Sequence, residues 1–184
     1  LHSKTLGIVG LGRIGTIVAE RAKGFYMKIL VHDPFISKEH AEKIGVEIVE
    51  FSDLLKRSDY ISLHTPSLDG KPLLSTKEFN TAKPGIRIVN CARGNLIDDD
   101  ALVEAIKSKQ VAQAALDVYA KEPLDMDSPL LTMDEIICTP HLGASTEEAQ
   151  EKVAIDVANQ FIDFLTHGNV RNAVNMPSID ADSL

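Results

Sequence analysis

The sequence predicts an α/β fold: a doubly wound, mainly parallel sheet of about seven strands with helices on both faces. Short apolar runs alternate along the chain with longer segments in which apolar residues recur at helical spacing. The short runs are apolar throughout, as is typical of strands buried on both faces of a parallel sheet. The chain has 184 residues, 44% of them apolar and 25% charged, which is the length and composition of one globular domain.

The first half of the chain alternates regularly between predicted strands and predicted helices. Residues 5–10 (TLGIVG) form a β-branched, apolar run that a glycine ends, and they predict the first strand. Residues 13–25 follow with apolar side chains at helical spacing and predict the first helix. Ser52 or Asp53 is the expected N-cap of the third helix. Further strands are predicted at residues 28–32, 46–49 and 60–63, and further helices at 37–43 and 52–58.

The second half continues the alternation. Strands are predicted at residues 86–90, 111–116 and 135–138, and helices at 98–107 and 146–164. Asp98, Asp99 and Asp100 open the first of these helices, where the helix dipole favours acidic side chains. This acidic run is therefore interpreted as a helix cap and not as a metal site. Ser145 or Thr146 is expected to cap the last helix.

Charge and cysteine content exclude several classes of protein. Lys and Arg total 19 against 27 Asp and Glu, for a formal charge of −8, so the basic surface of a nucleic-acid-binding protein is missing. No apolar run approaches the roughly 20 residues that a membrane-spanning helix needs. Cys91 and Cys138 cannot form a disulfide framework, and they lack the spacing of metal ligands. We therefore expect a cytoplasmic protein with no bound metal, no nucleic-acid partner and no membrane segment.

A glycine-rich turn links the first strand to the first helix. Gly10, Gly12 and Gly15 form the G-x-G-x-x-G pattern, in which glycines permit a tight turn, the approach of a pyrophosphate and close helix–strand packing. The amides at the helix N-terminus favour an anion there. Asp33 ends the second strand, where a carboxylate can accept hydrogen bonds from ribose hydroxyls and repel a 2′-phosphate. The pattern predicts a Rossmann-type domain that binds NAD in preference to NADP, although Lys38 is a nearby cation.

Two other interpretations of this turn stay open. A glycine-rich turn can serve only to pack a helix on a strand, but the acidic Asp33 at the expected position favours a dinucleotide. A methyltransferase uses a similar sheet with a looser glycine pattern, and the polar residues further along the chain do not suit its chemistry.

Polar residues after three later strands indicate a catalytic site. Arg93, Asp117, Glu122 and His141 follow predicted strands, and the carboxyl ends of parallel strands meet at one edge of the sheet. A hydride that leaves a C–OH carbon needs a base for the hydroxyl proton, and a neutral histidine suits that near neutral pH. A carboxylate beside the imidazole orients it, and a guanidinium can bind a substrate carboxylate. We assign His141 as acid and base, Glu122 as its partner and Arg93 as the substrate anchor.

A series of ordered motifs resembles the NAD-binding domain of the D-isomer-specific 2-hydroxyacid dehydrogenases, over nearly the whole chain. They are GIVGLGRIG at 7–15, LHTP at 63–66, VNCARGNLID at 89–98, ALDVYAKEP at 115–123, TPHLGAST at 139–146 and RNAVNMP at 171–177. The resemblance places the family's catalytic arginine, glutamate and histidine on Arg93, Glu122 and His141. It implies cofactor contacts at Gly10, Gly12, Arg13, Ile14, Gly15, Asp33, Thr65, Pro66, Cys91, Ala92, Arg93, Asp117, His141, Gly143 and Ala144. Asn95 stands where the family has the second glycine of an Arg-Gly-Gly turn, which puts the shape of this turn in question.

The resemblance implies a domain of an oxidoreductase that transfers a hydride between NAD and a D-2-hydroxy acid, with 3-phospho-D-glycerate, in serine biosynthesis, as the expected substrate. Residues 1–174 are expected to be the NAD-binding domain, cut from a longer chain, and 175–184 the start of a return to a substrate domain, with a frayed end. The chain alone is expected to bind NAD, to turn over weakly or not at all, and to form a homodimer. The alternatives are an NAD-responsive interaction module, as in the family's transcriptional corepressors, and a structural domain without a ligand.

Overall fold

The computed structural model describes residues 1–67 and 70–176, which fall into two compact units. The first unit is Leu1–His141, and the second is Leu142–Leu184, described as far as residue 176. Each unit is treated by itself below. Residues 177–184 lie outside the described residues, and so does most of the segment for which a frayed end was predicted.

The first unit is built on one sheet, and the predicted fold class is confirmed. In the described residues its strands are β1 Thr5–Val9, β2 Lys28–His32, β3 Glu47–Ile48, β4 Tyr60–Leu63, β5 Ile86–Asn90, β6 Val111–Leu116 and β7 Ile136–Cys138. They lie in the order β3-β2-β1-β4-β5-β6-β7, and every neighbouring pair is parallel. The order reverses at β1 and β4, so the crevice that binds ligands in such sheets lies beyond the carboxyl ends of these two strands.

Helices lie between most consecutive strands, as is usual where neighbouring strands are parallel, and one more helix follows the last strand. In the described residues they are α1 Arg13–Gly24, α2 Lys38–Ile44, α3 Phe51–Arg57, α4 Thr76–Thr81, α5 Asp99–Lys107 and α6 Glu147–His167. The expected N-cap of α3 is wrong, since the helix begins at Phe51 and Glu50 is its N-cap. The predicted cap of α5 is confirmed, because the Asp98 carboxylate accepts a hydrogen bond from the Ala101 amide at 3.0 Å.

One helix, α4, was not predicted at all. It has a single buried side chain, Phe79, and therefore no apolar periodicity to reveal it. A capping box holds its first turn, in which the Ser75 amide donates to the Glu78 carboxylate at 3.2 Å. The Ser-x-x-Glu pattern at residues 75–78 was the signal that could have found it.

Two apolar cores lie on opposite faces of the sheet. Side chains of a strand alternate between its faces, and in β2 Ile29 and Val31 belong to one core while Leu30 belongs to the other. Ala19 and Ala22 of α1 cover the first core. Helices α3, α4 and α5 contribute Leu54, Phe79 and Leu102 to the second core. Packed helices thus cover both faces of the sheet.

The second unit contains α6 and the described residues that follow it. Thr146, one of the two predicted residues, is the N-cap of α6, and its hydroxyl accepts a hydrogen bond from the Ala149 amide at 3.2 Å. No residue of α6 is buried, and the helix exposes apolar side chains that include Phe161, Ile162 and Leu165. A search of the described residues for a helix with the length and apolar character to cross a bilayer finds none.

Candidate active site

The glycine turn after β1 leaves an open space at the N-terminus of α1. Gly10 has φ +90°, and a Cβ there would lie 2.7 Å from the His64 carbonyl oxygen. A Cβ at Gly15 would lie 2.2 Å from the Gly10 carbonyl oxygen, whereas a Cβ at Gly12 would have no neighbour within 4 Å. Gly10 and Gly15 are therefore required by the packing of this chain itself, and Gly12 borders space. Gly12 is also the N-cap of α1, and no side chain accepts a hydrogen bond from the first amides of this helix at the cap. The turn therefore fits an anion beside these amides.

These contacts predict opposite outcomes for two alanine substitutions. Gly15→Ala should destabilise the fold by about 1–3 kcal/mol, the usual cost of overpacking, as measured by chemical denaturation. Gly12→Ala should keep the stability of the parent chain and lower NAD affinity by at least about tenfold, because its methyl group enters the space for the pyrophosphate. Unchanged NAD affinity of Gly12→Ala in calorimetric titration would contradict the assignment of this space.

Asp33 fixes the glycine turn as well as facing the crevice. Its Oδ2 accepts a hydrogen bond from the Leu11 amide at 2.7 Å, and its Oδ1 accepts one from the Phe35 amide at 2.8 Å. A carboxylate oxygen has two acceptor sites, so each oxygen can accept a further hydrogen bond. The Asp33 carboxylate is therefore held in place by the backbone and can still receive ribose hydroxyls.

The cavity that matters for a nucleotide lies in the first unit and measures about 310 Å³. It differs from a cavity of about 410 Å³ in the second unit. The lining of the cavity in the first unit includes Gly10, Gly12, Asp33, His64, Thr65 and Pro66. The Thr65 hydroxyl is buried and has no hydrogen-bond partner among the described residues, so it is available to a ligand. Burial lowers the pKa of His64, which favours a neutral imidazole in this wall at neutral pH. Sequence reasoning gave His64 no part in this wall.

The loop after β5 carries Arg93 and is anchored from both sides. Arg93 is exposed, and its Nη1 donates to the Ala92 carbonyl oxygen at 2.6 Å. A Cβ at Gly94 would lie 1.8 Å from the carbonyl carbon of Tyr119, so a glycine is needed for this loop to lie against the loop after β6. Asn95 lies in the 3₁₀ turn Gly94–Leu96, its φ is not positive, and its amide donates to the Ser67 hydroxyl. The loss of the family's second glycine is thus accommodated without strain.

Glu122 and His141 form a close pair. His141 Nδ1 lies 2.7 Å from Glu122 Oε2, and the second carboxylate oxygen accepts a hydrogen bond from the Tyr119 amide at 3.0 Å. His141 has φ +55°, a left-handed conformation that is uncommon for a histidine and that clusters at functional sites. Because a carboxylate can only accept, it selects the tautomer with the proton on Nδ1, and Nε2 becomes the basic nitrogen of the ring.

The pair predicts a pH dependence for Glu122. The His141 side chain, followed by the Tyr119 amide, lowers the pKa of Glu122 below its ordinary value of 4.5. A carboxyl group whose pKa falls on folding stabilises the fold above its unfolded pKa, and this contribution disappears as pH falls through the folded value. We therefore expect an NMR titration of the Glu122 carboxyl carbon to have its midpoint below 4.5, and the midpoint to rise in His141→Ala. An identical midpoint in parent and variant would contradict the pairing.

Asp117 lies at the junction of the last three strands. It is buried, its amide donates to the Asn90 carbonyl oxygen at 2.9 Å, and its carboxylate accepts from the Thr139 hydroxyl at 2.5 Å. The Tyr119 hydroxyl lies 3.0 Å from the Leu116 carbonyl oxygen and 2.9 Å from that of Thr139. The loops after β5, β6 and β7 are thus held together by hydrogen bonds, and Thr139 is a member that sequence reasoning missed.

The structure brings most of the predicted site residues to one edge of the sheet. A cavity of about 450 Å³ is lined by residues that include Ala92, Arg93, Asn95, Glu122 and His141. Arg13 and Ile14 are exposed in the first turn of α1. Gly143 and Ala144 belong to the second unit, and their cofactor contacts stay predictions. Among residues 1–67 and 70–176, no group of three or more His, Cys, Asp or Glu side chains could hold a metal ion.

Comparisons with known proteins identify the same family that the sequence motifs resemble. Residues 1–143 match the family model described as D-isomer specific 2-hydroxyacid dehydrogenase, NAD binding domain. The chain is 48% identical over 181 residues to D-3-phosphoglycerate dehydrogenase of Archaeoglobus fulgidus, covering 98% of this chain and 34% of that protein. It is 46% identical over 183 residues to the Bacillus subtilis protein of that name, covering 99% of this chain and 35% of the relative. The chain thus spans about a third of the length of these relatives.

Solved structures of D-2-hydroxyacid dehydrogenases superpose on nearly the whole of this chain. Apo D-mandelate dehydrogenase of Rhodotorula graminis superposes with a TM-score of 0.87 at 30% identity, over 97% of this chain and 53% of that chain. D-lactate dehydrogenase with NAD⁺ from Lactobacillus jensenii superposes with a TM-score of 0.82 at 29% identity, over 95% of this chain and 56% of that chain.

Proposed function

Because the chain belongs to the D-isomer-specific 2-hydroxyacid dehydrogenase family, as an NAD-binding domain, we propose that it serves the transfer of a hydride between NAD and a D-2-hydroxy acid. The observation that carries this proposal is the Glu122–His141 pair, which lines one cavity with Arg93 beside the NAD-binding edge of the sheet. We propose 3-phospho-D-glycerate as the substrate, and a place in serine biosynthesis, with support from the names of the similar proteins.

The residues present fit a dinucleotide. The amides at the start of α1 would hold the pyrophosphate beside Gly12, Asp33 would accept the ribose hydroxyls, and the Thr65 hydroxyl would gain a partner. Bound NAD supplies the hydride acceptor for oxidation and the hydride donor, as NADH, for reduction. Further contacts are proposed for Arg13, Ile14, Pro66, Cys91, Ala92, Arg93, Asp117, His141, Gly143 and Ala144.

The proton chemistry belongs to the chain itself. In oxidation, His141 Nε2 takes the hydroxyl proton of the substrate as the hydride leaves the same carbon, and the C–OH group becomes a carbonyl. Glu122 orients the imidazole through Nδ1 and stabilises its charged form. Arg93 binds the substrate carboxylate through paired hydrogen bonds. In reduction the imidazolium returns the proton to the carbonyl oxygen.

Calorimetric titration of the chain with NAD and with NADP tests the cofactor part. We expect NAD binding with NADP weaker by at least about tenfold, because Asp33 repels a 2′-phosphate. At a hundred times its Kd, NAD should stabilise the fold by about 2.7 kcal/mol. Failure of NAD to bind would refute the proposal. Turnover of 3-phospho-D-glycerate by the whole protein, with D-lactate as comparison, tests the substrate, and NAD binding without turnover would instead favour the non-enzymatic interaction module.

Assembly and location are further parts of the proposal. We propose a homodimer that forms through this domain, with support from apolar side chains that the first unit exposes, such as Phe25 and Tyr26. A monomeric mass of the whole protein by light scattering would contradict it. The cytoplasmic location is supported by the cysteines, since Cys91 and Cys138 are both free thiols, as is usual in reducing compartments.

A further inference from the structure

Asn90 is a buried polar side chain at the end of β5, directly before the loop that carries Arg93. It is 1% exposed. Its Nδ2 donates to the Arg93 carbonyl oxygen at 2.9 Å, and its Oδ1 accepts from the Ala92 amide at 3.1 Å. Its own carbonyl oxygen accepts from the Asp117 amide at 2.9 Å. Asn90 therefore uses both ends of its side chain amide on the backbone of Ala92 and Arg93.

The contacts of Asn90 continue to the guanidinium of Arg93. The Ala92 residue whose amide Asn90 holds also supplies the carbonyl oxygen that accepts from Arg93 Nη1 at 2.6 Å. On the far side of Arg93, Gly94 lies so close to the Tyr119 backbone that a Cβ would not fit. The backbone of Arg93 is thus fixed by Asn90 on one side and by the Gly94 contact on the other.

We propose that Asn90 is a positioning residue for Arg93: its amide sets the backbone of residues 92 and 93 and thereby the place where the guanidinium meets the substrate carboxylate. This inference rests on the proposed function of Arg93 as substrate anchor. A side chain in this place must donate to one backbone group and accept from another. An ionised carboxylate cannot donate, and an aliphatic side chain can do neither. Leaving these partly buried backbone groups without their hydrogen bonds costs free energy, so the loop would rearrange.

A double-mutant cycle in the whole protein separates positioning from general stability. Asn90→Leu should lower kcat/KM for 3-phospho-D-glycerate by roughly 10- to 100-fold, since small displacements of a binding group carry losses of this size. Arg93→Gln should lower it by at least as much. If Asn90 acts through Arg93, Asn90→Leu in the Arg93→Gln background should cost less than about twofold, because residues of one network are not additive. Losses that multiply in the double variant would overturn the proposal.

A second variant decides the question even if Asn90→Leu does not fold. In Asn90→Asp a protonated carboxyl group can donate to the Arg93 carbonyl oxygen and accept from the Ala92 amide, whereas the ionised group cannot donate. Burial beside Asp117 raises the pKa of such a group. The ratio of variant to parent kcat/KM should therefore be higher at the acid end of the pH range in which the parent is active than at the alkaline end. Asn80→Asp on the exposed face of α4 is the matched control, and its ratio should be independent of pH.

The outcomes distinguish this inference from the proposed function. A parent protein that fails to turn over, or an Arg93→Gln variant as active as the parent, refutes the role of Arg93 and the inference with it. An active parent with a deficient Arg93→Gln variant keeps the proposed function. In that case, the positioning role alone is overturned if the losses in kcat/KM multiply in the double variant. It is also overturned if the ratio of Asn90→Asp to parent kcat/KM does not change with pH.

Discussion

Replacing His141 by glutamine should lower kcat of the whole protein by about 10²- to 10⁴-fold, the range that general acid–base catalysis contributes. Glutamine can hydrogen-bond to Glu122 but cannot accept the proton that leaves the substrate hydroxyl. The steady-state kcat, measured with saturating NAD and 3-phospho-D-glycerate, checks the prediction. The free energy of unfolding of the same variant, measured by chemical denaturation, should stay close to that of the parent, which would show that the fold is intact.

Glu122→Gln is the matched control for this variant. It keeps the shape of the side chain and can still contact the imidazole, but it removes the charge that stabilises the imidazolium. Its loss in kcat should therefore be smaller than that of His141→Gln. If His141→Gln kept more than about a tenth of the parent kcat, a proton acceptor other than His141 would be required, and the assignment would be wrong.

Asp33→Ala should lower NAD affinity by roughly 10- to 100-fold, because each hydrogen bond to a charged group is worth about 1.5–3 kcal/mol. The substitution also removes the acceptor of the Leu11 amide, which holds the glycine turn. Both effects act in the same direction. Calorimetric titration of the chain with NAD gives the result directly, and an unchanged Kd would contradict the ribose assignment.

Asp59→Ala separates the two effects of the Asp33 substitution. Asp59 also accepts a hydrogen bond from a backbone amide, that of Thr5 at 2.8 Å, and lies at the start of β4, away from the crevice. Asp59→Ala should lower stability and leave NAD affinity close to that of the parent. Asp33→Asn provides the other comparison, since it keeps one acceptor oxygen, and removing the charge should raise the affinity for NADP relative to NAD.

The sequence made the framework predictable because the framework depends on local patterns. The apolar runs that became β1, β2 and β5 and the glycines at residues 10, 12 and 15 carry their signal in a few adjacent residues. Helix α4 was missed because one phenylalanine and a capping box define it. The contacts of Asp33 with the Leu11 amide and of Gly94 with the Tyr119 backbone join segments that are distant in sequence, so no local pattern contains them.

The site residues also divide into those that the sequence predicts and those whose role depends on contacts between loops. Arg93, Glu122 and His141 were selected by residue type and by the edge of the sheet to which their strands lead. The positive φ of His141 and the acceptor role of Asp33 for the Leu11 amide are properties of the assembled loops. They become visible only when the backbone of two or three loops is placed together.

The strand order also has a consequence for how the chain reaches its fold. Every neighbouring pair is parallel, so no two strands of the sheet can form as a hairpin. The interior strand β1 pairs with β2 on one side and with β4 on the other, and β4 follows only after three helices and two further strands. During synthesis on the ribosome, one edge of β1 therefore stays open until β4 has emerged. Such long-range pairing slows folding, and refolding of the purified chain should be most prone to aggregation before β1 and β4 have paired.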